Sequence, residues 1–430
     1  MQTIKFKRLA KPQILTRICR PLLGRFFEHF KEDFNALALP PPDLAGDDCF
    51  RGLAGLLMSP AGLPDRLNEA LFAIDDLGSP QGHEALETAP EWAAKRSLLE
   101  PGSTREEIPM QLWLAAPDWV ARVHNGLRLK RLTAFEHAGR GGSTKFQAPT
   151  SREIPSFKPQ GGAEPNSPLS TPLPFGRGGG EAPDRMTMLA LATDLDAWFA
   201  ANDRGVETTR IEIYPLEGEL WFLIRHGDLF TRAPKVEQQN TEILHFRPER
   251  DDVVVYAPAL DELRVNARTK GERDLYFQQF GRHLRGRADY FSERNTYTLE
   301  PLRTHGLDAL DAREIAGIRK IRLRELEVTS DNGRQEIITR ADQGLFEFAA
   351  SIPDGPEPIP RHGRLARAIF EVQFTGSVRC HPVEIRLPNV LKVGRRCDGG
   401  LVRDWLAASG FWMGGVRREG ARGVGEPVSG

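Results

Sequence analysis

The sequence predicts an α+β protein in which a helical amino-terminal domain precedes a domain built on a mostly antiparallel β-sheet with a few packed helices. Apolar residues in the first part of the chain recur every three or four positions, the spacing of helices that bury one face. From residue 208 onward, short apolar runs are separated by turn residues, which is typical of strands joined by hairpins. A long stretch rich in Gly, Pro, Ser and Thr divides the two parts.

Length and charge limit the class of protein. A chain of 430 residues is long for one core, so two domains are expected. The formal net charge of −1 gives no overall attraction to nucleic acid or to an anionic membrane. No run reaches the roughly 18 to 20 apolar residues that a membrane-spanning helix needs. The basic amino terminus leads into an amphipathic segment and not into a signal sequence, so we expect a cytoplasmic protein without membrane contact.

The four cysteines predict neither a disulfide framework nor a zinc site. They are scattered along the chain and form no C-x-x-C pair. We expect buried free thiols at Cys19, Cys49, Cys380 and Cys397.

Residues 1–138 are predicted to form the helical domain. An apolar stripe starts at Leu15 and is interrupted by Pro21, which predicts either a kink or a new helix beginning near Arg20. Further helices are predicted over residues 50–58, 65–77 and 110–135, the last divided at Pro117 and again at residues 125–126.

Two segments are predicted to be disordered. Residues 139–185 contain almost no large apolar residue, so they cannot bury enough surface to offset the entropy of ordering them. This stretch is therefore read as a linker or an inserted loop. Residues 414–430 show no periodicity and are read as a disordered tail.

Residues 186–413 are predicted to form the α+β domain. Its anchor is residues 220–224, five consecutive large apolar residues that suit a strand buried on both faces and pair as a hairpin with residues 211–214. In the strand 321–328 the alternation skips one residue between Leu323 and Leu326, which predicts a bulge. Further strands are predicted at 242–246, 253–256, 262–267, 296–299, 336–339, 368–374 and 378–387, and helices at 186–202, 271–284 and 400–408.

Residues 223–227, Leu-Ile-Arg-His-Gly, offer a candidate catalytic site. They resemble the signature of the histidine phosphatase superfamily, in which a strand ends in Arg-His-Gly. That resemblance implies that His226 accepts a phosphoryl group and that Arg225 helps to hold its oxygens. A hairpin partner directly upstream does not suit the first parallel strand of that family's domain. The alternative interpretation is a tight His-Gly-Asp turn between two strands.

A cluster of basic residues offers a candidate nucleic-acid contact. It surrounds a predicted helix, and on a nearly neutral chain it is the local charge asymmetry that invites a test for phosphate contacts. A solvated helix face is the competing explanation. The candidate residues are Arg264, Arg268, Lys270, Arg273, Arg282, Arg285 and Arg287.

No other motif predicts chemistry. The sequence lacks a P-loop, a dinucleotide-binding glycine motif, a zinc-protease helix and a nucleophile elbow, so we expect no cofactor and no metal. The hypothesis is a non-enzymatic cytosolic binding or scaffold component of a larger assembly, with a protein partner and a nucleic-acid contact through the basic cluster. A phosphoryl-transfer enzyme using His226 is the alternative, and the oligomeric state is left open.

Overall fold

The computed structural model describes residues 6, 8–30, 47–58, 65–140, 183–237, 240–330, 333, 335–353, 356–394 and 397–413. The chain divides into two compact units, Met1–Arg131 and Leu132–Gly430. The predicted linker, apart from its ends, and the predicted tail lie outside the described residues.

The first unit is helical where it is described. Its helices are α1 (Pro12–Leu15), α2 (Arg20–His29), α3 (Asp47–Met58), α4 (Asp65–Leu77), α5 (Pro80–Glu87), α6 (Trp92–Arg96), α7 (Glu107–Ala115) and α8 (Pro117–Lys130). A new helix does begin at Arg20, with Pro21 in its first turn, where a missing backbone donor costs nothing. The break between α7 and α8 falls before Pro117, as predicted, and α8 continues unbroken through residues 125–126.

The second unit contains the sheet. Its strands are β1 (Ala134–Gly139), β2 (Arg210–Leu216), β3 (Glu219–Gly227), β4 (Thr231–Glu237), β5 (Asn240–Phe246), β6 (Glu249–Ala257), β7 (Glu262–Asn266), β8 (Ile318–Thr329), β9 (Glu336–Arg340), β10 (Arg364–Phe374), β11 (Cys380–Arg386) and β12 (Val390–Val393). Its helices are α9 (Arg185–Ala201), α10 (Lys270–Arg285), α11 (Pro301–Thr304), a short 3₁₀ helix (Gly306–Leu310), α12 (Leu345–Ala350) and α13 (Gly399–Ala408).

Ten of these strands form one antiparallel sheet in the order β2-β3-β6-β7-β1-β12-β11-β10-β8-β9. Strands β2, β3, β6 and β7 follow one another closely in the chain, and so do β8 to β12. Strand β1 comes earlier than both groups and lies between them, paired with β7 on one side and β12 on the other. The sheet therefore consists of two sequence-local blocks joined by β1.

The two blocks bury opposite faces of the sheet. Helices α9 and α10 pack with Val265 and Ala138 in one core, whereas α13 packs with Leu391 in the other. Since Glu136 lies opposite Val265 and the adjacent Phe135 lies opposite Leu391, the two cores are on opposite sides of β1.

The predicted α+β class with an antiparallel sheet is confirmed. The predicted hairpin of β2 with β3 is present, and the bulge in β8 falls at Arg324 as the skipped alternation indicated. Residues 134–139 form a strand where a helix was predicted to end. Residues 296–299 form no strand and contribute one isolated bridge between Tyr297 and Trp412.

The expectation of buried thiols was wrong for two cysteines. Cys19 and Cys380 are exposed, and Cys397 is half-buried. Burial, followed by the neighbouring Asp398 carboxylate, raises the pKa of Cys397 to about 12, so this thiol is unreactive at neutral pH. No helix in the described part of the chain is both long and apolar enough to cross a membrane.

Candidate functional site

His226 lies inside strand β3 and not on a turn, so the interpretation of a His-Gly-Asp turn was wrong. Its side chain is fully buried, and its ring stacks on Phe199 with 4.0 Å between centroids. Nδ1 lies 2.8 Å from the carbonyl oxygen of Gly227, and Nε2 lies 3.0 Å from Oδ2 of Asp252. Both ring nitrogens therefore lie within hydrogen-bond distance of buried protein oxygens, and neither faces open space.

Asp252 on β6 connects this histidine to a second helix. Its Oδ2 also accepts a hydrogen bond of 2.9 Å from the Tyr276 hydroxyl on α10, and Nε of Arg250 lies 3.5 Å from its Oδ1. Burial raises the pKa of Tyr276 well above its ordinary value, and the nearby Asp252 raises it further. The phenol therefore stays protonated and continues to donate.

A second carboxylate, Glu272, lies at the start of α10. Its Oε2 accepts from the backbone N–H of Thr269 at 2.8 Å, while the Thr269 hydroxyl caps the helix in return. Nη1 of Arg204 lies 2.8 Å from Oε1 of Glu272, an ion pair whose angle is too poor for a hydrogen bond. The same Nη1 donates a hydrogen bond of 2.8 Å to Asp228, which directly follows β3.

The Asp228 carboxylate lies close to the guanidinium groups of three arginines. Burial raises the pKa of its carboxyl, but the backbone N–H of Leu229 and the guanidinium groups of Arg204, Arg250 and Arg268 outweigh that effect and lower the pKa below its ordinary value. These residues form one connected cluster at the end of the β3 and β6 pair, which we call the basal network. Its members are Arg204, His226, Asp228, Arg250, Asp252, Glu272 and Tyr276.

Three members of the basal network have the chemistry of metal ligands. One ligand atom from each of His226, Asp252 and Glu272 lies within 4.8 Å of the other two, and all three residues are buried. Their two carboxylates are already opposed by two guanidinium groups, from Arg204 and Arg250. A divalent cation would add two positive charges to a buried cluster that is already compensated. The geometry therefore supports a structural salt-bridge network more than a metal centre.

The residues of the phosphatase signature do not converge. Neighbouring side chains on a strand point to opposite faces, and Arg225 pairs with Glu212 at 2.8 Å and with Asp251 at 3.4 Å. The histidine phosphatase signature also includes a further arginine and a second histidine, and Arg232 and His305 are the residues that could take those places in this chain. Arg232 lies on β4, and His305 lies between α11 and the 3₁₀ helix of the other block.

Strands β4 and β5 extend the β3 and β6 pair into a separate two-stranded sheet, which we call the projecting hairpin. Opposite pairs place Ala233 with Leu244 on one face and Pro234 with Ile243 on the other. All residues from 241 to 246 are exposed, and Val236 retains 72% of its accessible surface. Exposed apolar side chains thus occupy both faces of a hairpin whose base is the basal network.

The predicted basic cluster does not form one patch. Arg264 is buried and pairs with Glu219, and Arg273 pairs with Glu136 at 2.7 Å. Arg282 lies 3.3 Å from Asp194, and Arg285 lies 3.0 Å from Asp261 and over the ring of Tyr256. Arg287 pairs with Asp289, and Arg268, 71% exposed, lies 3.6 Å from Asp228. Lys270 is exposed at the first turn of α10.

A buried histidine that no sequence motif indicated, His137, lies on β1. Nδ1 of His137 is hydrogen-bonded to the Glu262 carboxylate, and the Tyr297 hydroxyl lies 3.3 Å from the same nitrogen. Burial lowers the pKa of His137, more strongly than Glu262 raises it. The lowered pKa leaves the imidazole mostly neutral at pH 7, and its Nδ1–H donates to the Glu262 carboxylate.

A cavity of about 670 Å³ lies beside α13 and the turns that follow β2 and β6. Its lining includes Glu219, whose carboxylate accepts from Arg403 at 3.0 Å and also pairs with Arg264. Glu217 and Asp404 contribute two more carboxylates, and Trp412 contributes an aromatic face. Three carboxylates and the guanidinium of Arg403 therefore line this cavity together. Local sequence carries no signal for it, because its walls come from residues 217–219, 257–260 and 400–412.

Comparison with known proteins gives no family for this chain. No family model matches it, and no curated protein matches it significantly.

Proposed function

We propose that this chain is a non-enzymatic, cytosolic binding component of a larger protein assembly and that it holds a protein partner through the projecting hairpin. The observation that carries the proposal is the exposure of apolar side chains on both faces of β4 and β5. A two-stranded hairpin is at most marginally stable alone, and exposed apolar surface on one is a feature of interaction sites.

The partner's chemistry follows from the hairpin's composition. Residues 231–246 contain two basic residues, Arg232 and Lys235, and two acidic residues, Glu237 and Glu242, so the segment has no net formal charge. Its exposed apolar residues are Val236, Ile243, Leu244 and Phe246. A protein surface with an apolar groove fits such a ribbon better than a strongly charged ligand does.

The base of the hairpin supports the same role. Nη1 of Arg247 donates to the carbonyl oxygen of Asp228 at 2.7 Å, and the backbone N–H of Asp228 donates to the carbonyl oxygen of Pro248 at 2.8 Å. Gly227 is required there, because a Cβ would lie 2.3 Å from the carbonyl oxygen of Arg204. A rigid base that presents an exposed ribbon loses less entropy on binding than a free segment does.

The test compares three forms of the full-length chain as affinity baits in an extract of the native host. The hairpin variant carries Val236→Lys and Ile243→Lys, and the matched control carries Val378→Lys on a different exposed turn. Proteins retained by the wild type and by the control should be lost from the hairpin variant. An identical set of retained proteins on all three baits would remove the hairpin from the proposal.

Hydrogen exchange gives a second readout that does not depend on the variants. Backbone amides of residues 231–246 should exchange more slowly when the purified partner is added, while those of the β10 and β11 turn should not change. Protection elsewhere, with unchanged exchange across the hairpin, would place the contact on another surface.

Nucleic acid is the second candidate ligand, favoured by the exposure of part of the basic cluster. Arg268, Lys270, Arg282 and Arg287 remain exposed even where a carboxylate lies near. Binding through them should weaken with salt, with a log-log slope of about −0.9 per neutralised phosphate on a duplex. Arg282→Ala with Arg287→Ala should reduce that slope on a mixed-sequence oligonucleotide. Absence of salt-dependent binding by the wild type would reject this ligand.

A further inference from the structure

Strand β9 is an open edge of the ten-stranded sheet. Among the described residues, it pairs only with β8, and all five of its side chains are exposed. Ile337 retains 56% and Ile338 retains 54% of their accessible surface. The strand at the other edge, β2, contains Pro215, which lacks the backbone donor that strand pairing uses. Strand β9 has no proline, so its outer edge can accept another strand.

The sequence of β9, Glu-Ile-Ile-Thr-Arg, is complementary to itself when two copies run antiparallel. Centred on Ile338, the pairing places Glu336 opposite Arg340 of the second copy at both ends. Ile338 then lies opposite Ile338, and Ile337 lies opposite Thr339. Opposite charges and apolar residues directly across an antiparallel pair are the combinations that stabilise it.

Neighbouring symmetric registers are less favourable. A centre at Thr339 would place Glu336 opposite Asp342 and Ile338 opposite Arg340, while a centre at Ile337 would place Glu336 opposite Ile338. Directly opposed like charges destabilise a strand pair. Glu336 and Arg340 oppose pairing of this edge with most other strands. With a second copy of β9, the same two charges favour the register centred on Ile338.

The position of Arg340 suits this pairing. Its guanidinium already contacts the buried Glu325 on β8, and Glu325 is also paired with Arg367. The Arg340 side chain nevertheless keeps 66% of its surface exposed. Because a guanidinium has five donors in a planar fork, Arg340 can contact Glu325 of its own chain and Glu336 of a second copy together.

We propose that β9 is a dimerisation edge and that its partner is a second copy of this chain, paired antiparallel about a twofold axis at Ile338. The contact is isologous, so it closes at two subunits and leaves no further β9 edge. Five residues on each side form a small interface compared with a typical stable complex, so we expect a dissociation constant on the order of micromolar.

The test is sedimentation velocity of the full-length protein over a wide range of concentrations. The wild type should pass from monomer to dimer, and Ile338→Lys should raise the dissociation constant about tenfold or more, because two lysines would face each other. Ile243→Lys on the projecting hairpin is the matched control and should dimerise like the wild type. A wild type that stays monomeric, or an Ile338→Lys variant with an unchanged dissociation constant, would overturn the proposal.

A charge-swap experiment keeps the result independent of folding defects. Glu336→Arg alone should dimerise poorly, and so should Arg340→Glu alone, because each opposes like charges. Mixed together, the two variants should form a heterodimer in which both end pairs are again attractive. If both single variants dimerised with the dissociation constant of the wild type, the contact would lie on a different surface. The function proposed for the hairpin does not depend on this outcome, because the hairpin variants at Val236 and Ile243 do not change any residue of β9.

Discussion

The basal network and the projecting hairpin adjoin each other, since β3 leads into β4 and β5 leads into β6, yet they differ in almost every physical property. In the network, the charged groups are largely buried and each lies against an opposite charge or a hydrogen-bond partner. In the hairpin, apolar side chains are exposed on both faces. The change occurs within a few residues, at Gly227 and Asp228 where β3 leads into β4, and at Arg247 and Pro248 where β5 leads into β6.

The contrast shows why a histidine at the end of a strand is a weak indicator of catalysis. His226 lies at the end of β3, directly before the chain leaves the large sheet for the projecting hairpin. Its contacts with Gly227 and Asp252 hold the ends of β3 and β6 together. Under the proposed function, the binding surface lies beyond His226, on the exposed apolar residues of the projecting hairpin. Four predictions test this division.

The largest effect is expected in the network. Replacing Arg204 with Ala leaves the buried Glu272 carboxylate without its guanidinium, which should lower the free energy of unfolding by about 3–5 kcal/mol. Arg268→Ala removes an exposed guanidinium from the same Asp228 and should cost about 0–1 kcal/mol. Chemical denaturation of both variants measures the difference, and equal losses would contradict the assignment.

The next effect separates a structural histidine from a catalytic one. His226→Ala opens a cavity beside Phe199 and removes a partner of Asp252, so we expect a loss of about 2–4 kcal/mol. Thermal unfolding should show a lower midpoint. A nucleophile exposed in a cleft would instead lose phosphatase activity while the midpoint stayed unchanged, and that result would restore the enzymatic alternative.

The third prediction concerns acid stability at the base of the hairpin. Since the pKa of Asp228 is lower in the folded chain than the ordinary value of 3.8, its ionised form stabilises the fold above about pH 3.8. That contribution is lost as the pH falls through the folded pKa. Asp228→Asn should therefore be less stable than the wild type at pH 7, and the gap should narrow under acid. A gap independent of pH would show that the carboxylate charge is not involved.

The smallest effect on stability is expected on the hairpin itself. Ile243→Lys and Val236→Lys change exposed positions and should alter the free energy of unfolding by no more than about 0.5 kcal/mol. Denaturation curves that overlay that of the wild type would agree with this, while partner capture is lost. A large destabilisation would mean that the hairpin packs against something within the chain.

Much of the fold follows from local pattern. The apolar run at 220–224 and the glycine-containing turn before it indicated the β2 and β3 hairpin, and the skipped alternation at Arg324 indicated the bulge in β8. These features depend on residues a few positions apart, which a single sequence displays. Strand β12, with four residues, is too short to show a period.

The site could not be predicted in the same way, because its contacts are distant in sequence. The arginines of the basic cluster look unpaired in a local window, but Arg273 meets Glu136 and Arg282 meets Asp194 only after folding. The side-chain contacts of His137 are likewise with Glu262 and Tyr297, which lie 125 and 160 positions away in the sequence. The clustering of basic residues in the sequence therefore predicted a larger basic patch than the structure has. The Arg-His-Gly motif likewise directed attention to the buried end of β3 and not to the exposed strands β4 and β5.

The position of β1 has a consequence for the order of folding. Within each block, paired strands lie closer together in sequence than β1 lies to β7 and β12, whose paired residues are more than a hundred positions further along the chain. Contacts of such long sequence separation slow the search for the native state. We expect the two blocks to form first and β1 to pair with β7 and β12 last. Until β1 pairs, β7 and β12 are exposed sheet edges to which a chaperone or an aggregating chain could bind.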